Sequence, residues 1–223
     1  MLTFAEIRAR ALARHPDFEP FGHYWREPLP PDDVVTIPDD RWLSAMTFSV
    51  FSAGFRWSVI AAKWDGFEDA FIGFEPEAVA DFDPGMLEGL RHDTRIVRNP
   101  QKIGATIENA KFVRDVSNEH GGFGAWVASY GPHRVTELLA VMKKRGSRLG
   151  GSSGPRTLRR AGADAFIVTG DVEKALREMG ALTASPTSKK GQRETQAAFN
   201  QWMDESGRSL TEISITLAHT VDQ

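Results

Sequence analysis

Apolar residues recur at helical spacing along almost every long segment of this chain, and the strict alternation typical of strands is scarce. Residues 3–14 begin with a threonine that can cap a helix, and apolar side chains follow at intervals of three and four. Asn99 and Pro100 suit the N-cap and first position of a long helix that we expect to reach Glu119. The sequence therefore predicts an all-α fold with short helices and short loops.

Composition narrows the class further. The 223 residues suit one large domain or two small lobes that share a cleft, and 41% hydrophobic content is enough for a buried core. The longest apolar runs fall short of the ~18 residues of a membrane span, and the N-terminus lacks the pattern of a secretion signal. With no cysteine, the chain has no disulfide framework, thiolate nucleophile or Cys-ligated metal, and it is compatible with a reducing cytoplasm.

Charge is unevenly distributed along the chain. Although the net charge is −3, no acidic residue lies between Glu137 and Asp164. The basic residues of this stretch are Lys143, Lys144, Arg145, Arg148, Arg156, Arg159 and Arg160. In its middle, the Gly-rich segment 149–154 precedes Pro155, which predicts a helix, a hairpin turn and a second helix. Hairpin N–H groups and a helix N-terminus bind anions, and the flanking cations suit phosphate. A flexible loop with solvated basic side chains is an equally good interpretation of the spacing alone.

Two further features are candidates for chemistry. Asp171 stands where an apolar run ends and a helix begins, which is most simply an N-cap, although a carboxylate there can also face a sugar–phosphate backbone. Aromatic residues crowd the first third of the chain, and most have ordinary core spacing. Tyr24 and Trp25, beside a Pro-rich connector, and Trp57, just after the break at Gly54, are better candidates for a stacking wall.

Five segments together form a more specific pattern. They are Ala53-Gly54-Phe55-Arg56-Trp57 followed by Lys63, the Phe-rich segment 65–83, the segment from Ile96 to Ile103, the pair Asn109-Ala110, and Lys143-Lys144-Arg145-Gly146 with the hairpin behind it. The pattern resembles the DNA-3-methyladenine glycosylase I family over roughly residues 40–180. The resemblance implies a helix-hairpin-helix glycosylase fold with two helical lobes around a cleft. It also implies hydrolysis of the N-glycosidic bond of alkylated purines such as 3-methyladenine in double-stranded DNA.

The resemblance assigns roles to particular residues. Trp57 corresponds to the family tryptophan that stacks on the base once the nucleotide has been flipped out of the duplex. Tyr24 and Trp25 are approximate counterparts of the family's other aromatics, and Ser49 stands where the family has a base-binding Glu. We add Phe51 to these base-binding candidates. The predicted DNA-backbone contacts are Lys144, Arg145, Arg148, Gly150, Gly151, Ser152 and Gly154.

We predict Asp171 as the catalytic residue, because the wider superfamily often has an Asp at a helix start shortly after the hairpin. Its ionised carboxylate would stabilise the developing oxocarbenium ion or orient water, and Asp164 is the second choice. No lysine stands just ahead of Asp171 in the Schiff-base position, which predicts a monofunctional enzyme without lyase chemistry. The family's zinc site uses Cys and His ligands, so a chain without cysteine is expected to hold no zinc and to need no cofactor.

We expect one glycosylase-like domain over 1–223, with helices of one lobe over about 25–130, the hairpin lobe over about 133–223 and the N-terminal helix at 3–14. We also expect a monomer in the cytoplasm, without membrane association. Two alternatives stay open. Because Ser49 is not a carboxylate, the chain can be a catalytically weak or inactive helix-hairpin-helix module that binds DNA or a nucleoside. It can also be a helical interaction protein whose hairpin is only a loop.

Overall fold

The computed structural model describes residues 1–21 and 26–222, which form fourteen α-helices and no strand. The helices are α1 Phe4–Arg14, α2 Pro31–Val35, α3 Asp39–Ser52, α4 Trp57–Ala61, α5 Trp64–Ala70, α6 Pro76–Ala80, α7 Pro84–His92, α8 Pro100–His120, α9 Phe123–Ala128, α10 Val135–Arg145, α11 Ser153–Ala161, α12 Gly170–Glu178, α13 Lys189–Ser206 and α14 Leu210–Ala218. Short 3-10 turns lie at Ile72–Phe74 and Pro132–Arg134. The all-α fold predicted from the sequence is confirmed. None of the helices in the described ranges is long and apolar enough to cross a bilayer.

Local sequence explains where several helices begin and end. Thr3 and Glu6 form a capping box, in which each side chain bonds the backbone N–H of the other residue. Asn99 caps α8 and Pro100 fills its first position, as the sequence predicted. The helix ends at Gly121, whose φ of +76° is the left-handed conformation that glycine adopts without strain.

The chain separates into two compact units. The N/C unit comprises Met1–Leu29, Tyr130–Leu138 and Gly162–Gln223, and the middle unit comprises Pro30–Ser129 and Leu139–Ala161. The sequence predicts the hairpin as part of the lobe over about 133–223, whereas in the structure the hairpin belongs to the middle unit. The reason is that α11 packs along α3.

Helix α3 forms the centre of the middle unit. Every residue from Trp42 to Phe51 is buried, because α8, α11 and the 3-10 turn at Ile72–Phe74 all contact this helix. A cluster of aromatic rings that includes Trp64, Phe67 and Phe74 packs beside it, with Trp64 stacked on Phe67 at 5.1 Å between ring centroids. A helix buried on all sides has little freedom to move, so its last turn is a firm support for the segment that follows.

Buried hydrogen bonds tie the N/C unit together. The indole N–H of Trp202 on α13 donates to the carbonyl of Leu2 at 2.8 Å, which fixes the start of the chain. The two carboxylate oxygens of Asp164 accept the amide N–H groups of Leu210 and Thr211, each at 2.8 Å. Asp164 therefore supplies hydrogen-bond acceptors for two N–H groups of the first turn of α14, where the helix dipole also favours a negative charge.

The carboxylate of Glu194 gives this unit a pH-dependent element. Its oxygens accept hydrogen bonds from the hydroxyl and amide of Thr183, at 2.7 and 2.8 Å, and from the amide of Ala184 at 3.1 Å. These bonds lower the pKa of Glu194 from its ordinary 4.5 to about 2. Because the folded-state pKa is depressed, the stability that these bonds contribute is complete above pH 4.5 and is lost as the pH falls towards 2.

We therefore expect Glu194→Gln to lower the midpoint of thermal unfolding at pH 7, with a deficit that shrinks steadily between pH 4.5 and pH 2. Thermal unfolding followed by circular dichroism across this pH range measures the deficit. Glu178→Gln, at an exposed position of α12, is the matched control and should follow the wild type throughout. A deficit of the same size at every pH would contradict the assignment.

Candidate functional site

A cavity of about 430 Å³ opens on the middle unit where α3 ends and α4 begins. Its lining comes from the last turn of α3, the turn into α4, and the start of α11: Ser49, Ser52, Ala53, Gly54, Phe55, Arg56, Trp57, Ser58, Ser152, Ser153 and Arg156. Three residues predicted from the sequence as site residues, Trp57, Ser49 and Ser152, are thus brought to one place. None of the described residues that line the cavity is acidic.

Two aromatic rings of the cavity are accessible. Trp57, the first residue of α4, is 53% exposed, and Phe55, in the preceding turn, is 46% exposed. The turn depends on Gly54, whose φ is +76°. Large apolar side chains are normally withdrawn from water, so two exposed rings beside a cavity mark a surface suited to a planar ligand.

Neutral hydroxyl groups supply the polar part of the lining. Ser49 is 4% exposed, and its hydroxyl donates to the carbonyl of Ala45 at 2.8 Å, which leaves the oxygen free to accept a bond from a ligand. The hydroxyl of Ser52 is buried and has no hydrogen-bond partner among the described residues. An unpaired buried hydroxyl is costly, and a polar ligand that enters the cavity would remove that cost.

Lys102 on α8 holds the turn that carries the two rings. Its buried ammonium group donates to the carbonyl of Phe51 at 3.0 Å and to that of Ala53 at 2.6 Å, and it lies 4.7 Å from the ring centroid of Phe55. A cation suits this position because the last carbonyls of α3 carry partial negative charge. Burial lowers the pKa of Lys102, and the charge of Arg148 lowers it further.

Asn109 makes the corresponding contact to the hairpin. It is fully buried on α8, two turns after Lys102, and its amide group donates to the carbonyl of Ser147 at 3.1 Å while its oxygen accepts the Ser147 N–H at 2.7 Å. One face of α8 therefore fixes both walls of the cavity. Both residues belong to segments of the family pattern, although the sequence alone predicts no role for either. The signal was a lysine and an asparagine seven positions apart on an otherwise apolar helix face.

The predicted backbone-binding cations differ in how they are engaged. Arg145 binds Glu119 with both terminal nitrogens, at 2.8 and 2.9 Å, and the guanidinium of Arg148 donates to the side chain of Gln101 at 2.5 Å. Lys144 is exposed on the last turn of α10. The partners of Arg145 and Arg148 lie on α8, so a sequence-local view of charge could not reveal them.

Two of the hairpin glycines allow a backbone conformation or a close contact in the turn between α10 and α11 that other residues would not. Gly151 has a φ of +59°. A Cβ atom at Gly154 would lie 2.7 Å from the carbonyl oxygen of Leu149, so only glycine fits there. A Cβ at Gly150 would meet only the flexible side chain of Lys143, at 3.4 Å.

Other predicted site residues lie elsewhere or outside the described part of the chain. Phe51 is fully buried with its ring edge on Phe67 at 4.7 Å, so it is a core residue rather than part of the cavity lining. Its spacing along α3 is that of a core position, so the structure corrects the prediction that places Phe51 among the base-binding residues. Tyr24 and Trp25 fall outside the described residues.

Asp171 lies in the first turn of α12, in the N/C unit, and is partly buried. The N-cap of this helix is Thr169, whose hydroxyl accepts the N–H of Val172 at 3.3 Å. Asp171 is thus not needed as a cap, and its catalytic role stays a prediction. Asp164, the second choice, is engaged by the amides of α14.

The chain's donor set does not fit a zinc site of the Cys and His type. The sequence has no cysteine, and among residues 1–21 and 26–222 no three His, Asp or Glu side chains lie together in a way that could hold a metal ion.

Residues 34–147, about half of the chain, match the family model described as methyladenine glycosylase. This range includes the turn between α3 and α4 and the whole of α8. The chain belongs to the methyladenine glycosylase family. The family, fold and glycosylase activity predicted from the sequence are thereby confirmed.

Solved structures agree with this fold. A variant of 3-methyladenine DNA glycosylase I in complex with 3-methyladenine is 24% identical, with a TM-score of 0.55 over 65% of this chain and 85% of that one. A variant of the enzyme from Staphylococcus aureus is 24% identical, with a TM-score of 0.54 over 63% and 82% of the two chains. A third 3-methyladenine DNA glycosylase I is 19% identical, with a TM-score of 0.51 over 68% and 86%. At these identities the likeness establishes the fold alone.

In this glycosylase, replacing Lys102 by Met should destabilise the fold by about 1–3 kcal/mol, because two buried carbonyl groups lose their donor. Urea unfolding measures the loss. Lys111→Met is the matched control on the same helix, since the Lys111 side chain is 43% exposed and pairs with Glu108 on the surface. It should change stability by less than about 0.5 kcal/mol. Equal losses in the two variants would show that the Lys102 contacts do not stabilise the turn.

Proposed function

We propose that this protein is a monofunctional DNA glycosylase that removes alkylated purines, 3-methyladenine among them, from double-stranded DNA by hydrolysis of the N-glycosidic bond. The family supplies the reaction class and DNA as the substrate. The finer assignment rests on the cavity at the end of α3. It combines the exposed ring of Trp57, buried neutral hydroxyls and the first residues after the hairpin.

The cavity suits a flipped purine. The indole face of Trp57 would stack on the base, and a 3-alkylated adenine carries a positive charge that strengthens this contact by about 0.5–2 kcal/mol over neutral adenine. The Ser49 oxygen, whose own proton is held by Ala45, can accept a bond from an exocyclic amino group of the base. Flipping itself costs a few kcal/mol, and the cost is lower for a damaged base.

The chemistry needs little acid catalysis. When the bond between C1′ and the base nitrogen breaks, both electrons stay with the base and cancel its positive charge. The oxygen of a water molecule then bonds to C1′ and gives up a proton. In the proposal, the carboxylate of Asp171 stabilises the positive charge that develops on the sugar and accepts that proton. The assignment is supported by the position of Asp171 shortly after the hairpin in the sequence and by its incomplete burial.

We also propose that the enzyme is a monomer in the cytoplasm. The absence of cysteine is compatible with the reducing conditions there.

One observation favours a second candidate function. Ser49 presents a neutral oxygen where the family has a Glu, so the binding energy available to the base is smaller. A protein that binds damaged DNA or a modified nucleoside without turnover would have the same cavity. Release of free base separates the two functions, because a binding module releases none.

Incubation of alkylated duplex DNA with the wild-type protein should release free 3-methyladenine, measured by chromatography against a protein-free control. Trp57→Ala should slow single-turnover release by about 2- to 30-fold, which is the loss of a cation–π contact of 0.5–2 kcal/mol. Met86→Ala, at another exposed apolar position of the middle unit, is the control and should retain the wild-type rate. No release above the control would contradict the glycosylase, and equal rates in the two variants would contradict the role of Trp57.

Asp171→Asn tests the catalytic assignment separately. Loss of the charge that stabilises the sugar cation should reduce single-turnover release at saturating enzyme by about 100-fold or more, while binding to DNA with an abasic-site analogue persists. Glu173→Gln, in the same turn of α12, is the matched control. Wild-type release by Asp171→Asn would remove this residue from the mechanism.

A further inference from the structure

Two arginines that are not among the predicted DNA-backbone contacts line the cavity from different segments of the chain. Arg56 lies in the turn before α4 and Arg156 lies in the first half of α11. Both are exposed, and neither has an acidic or hydrogen-bonding partner among the described residues. This distinguishes them from Arg145, which is held by Glu119. Exposed guanidinium groups without an internal partner are available for an external anion.

The start of α11 adds neutral donors to these charges. Ser153, its first residue, is only 8% exposed, lines the cavity and has no hydrogen-bond partner for its hydroxyl among the described residues. The residue is more than nine-tenths buried while it lines the cavity, so its hydroxyl, which no described protein group engages, is available to a ligand there. The helix spans nine residues, so its first N–H groups also carry the partial positive charge of a helix N-terminus.

We propose that Arg56, Arg156 and the hydroxyl of Ser153 form the binding site for a phosphodiester group of the DNA strand beside the flipped nucleotide. This inference rests on the proposed function, because it places the nucleotide's base in the same cavity. Guanidinium groups match the oxygens of a phosphodiester in geometry and charge, and the hydroxyl donates to a further oxygen.

The charge balance of the cavity supports a phosphodiester rather than a neutral ligand. Since the described lining has no carboxylate, the two guanidinium charges would repel a cationic base that arrived alone. A phosphodiester that enters with the base cancels part of this repulsion. The DNA strand thus provides the anion that the protein itself does not place in the cavity.

The test is the salt dependence of binding to a duplex with a tetrahydrofuran abasic-site analogue, measured by fluorescence anisotropy. Each lost phosphate contact should reduce the slope of log K against log salt concentration by about 0.9. Arg56→Gln and Arg156→Gln are each expected to show this reduction, because each substitution removes one guanidinium from the phosphodiester site. Arg91→Gln, at an exposed arginine of α7 that pairs with Glu88 and does not line the cavity, should keep the wild-type slope.

Ser153→Ala is expected to weaken binding by about tenfold at every salt concentration without changing the slope, because the hydroxyl carries no charge. Wild-type slopes in both Arg56→Gln and Arg156→Gln would overturn the phosphodiester site.

Release of 3-methyladenine by the wild type, measured in parallel, keeps the two proposals apart. If release occurs but the slopes do not change, the phosphodiester site is wrong and the glycosylase stands. If the slopes fall as expected but no base is released, the site stands and the glycosylase is wrong. Thermal unfolding of each variant confirms that it is folded.

Discussion

The site depends on two buried polar contacts made by one helix. Lys102 fixes the carbonyls at the end of α3, and Asn109 fixes the backbone at the start of the hairpin. Because both side chains come from one face of α8, the turn that carries Trp57 and the turn that leads into α11 share one rigid support. A buried ammonium group is tolerated there since two carbonyl oxygens replace its water. The cavity is thus a consequence of how α3 and the hairpin are fastened to α8.

The sequence predicts the elements of the fold better than it predicts the contacts between them. Caps such as Asn99 and breaks such as Gly54 are local signals, so the helices they delimit are readable directly from the residues. The hairpin belongs to the middle unit because α11 packs against α3. No local sequence pattern predicts this contact between distant segments. For the same reason Phe51 was predicted in the site although it lies in the core: on a helix buried on all sides, spacing does not distinguish the two.

The sequence is also unable to show which basic side chains are available to bind DNA. The acid-free stretch around the hairpin predicts an anion-binding region, but not which of its cations are available. Arg145 is held by Glu119, 26 residues earlier in the chain, whereas Arg156 lines the cavity. Arg56 lies outside the basic stretch in the sequence, and it comes near Arg156 only because the turn before α4 and the start of α11 line the same cavity. The tertiary structure thus determines which of the basic side chains line the cavity and which are paired with acidic residues.

The neutral hydroxyl at Ser49 and the two unpaired arginines are physically connected. A cavity of about 430 Å³ is small enough for charges on its walls to interact within one Debye length, about 8 Å at physiological ionic strength. A carboxylate at position 49 would give Arg56 and Arg156 an internal counter-ion, and it would compete with any phosphodiester for them. In the proposed site, a serine leaves both guanidiniums available to the DNA backbone, and Ser49 adds a hydrogen bond to the base beside the stacking contact of Trp57. On this proposal, the negative charge that a carboxylate would contribute at position 49 is supplied by the phosphodiester of the bound strand instead.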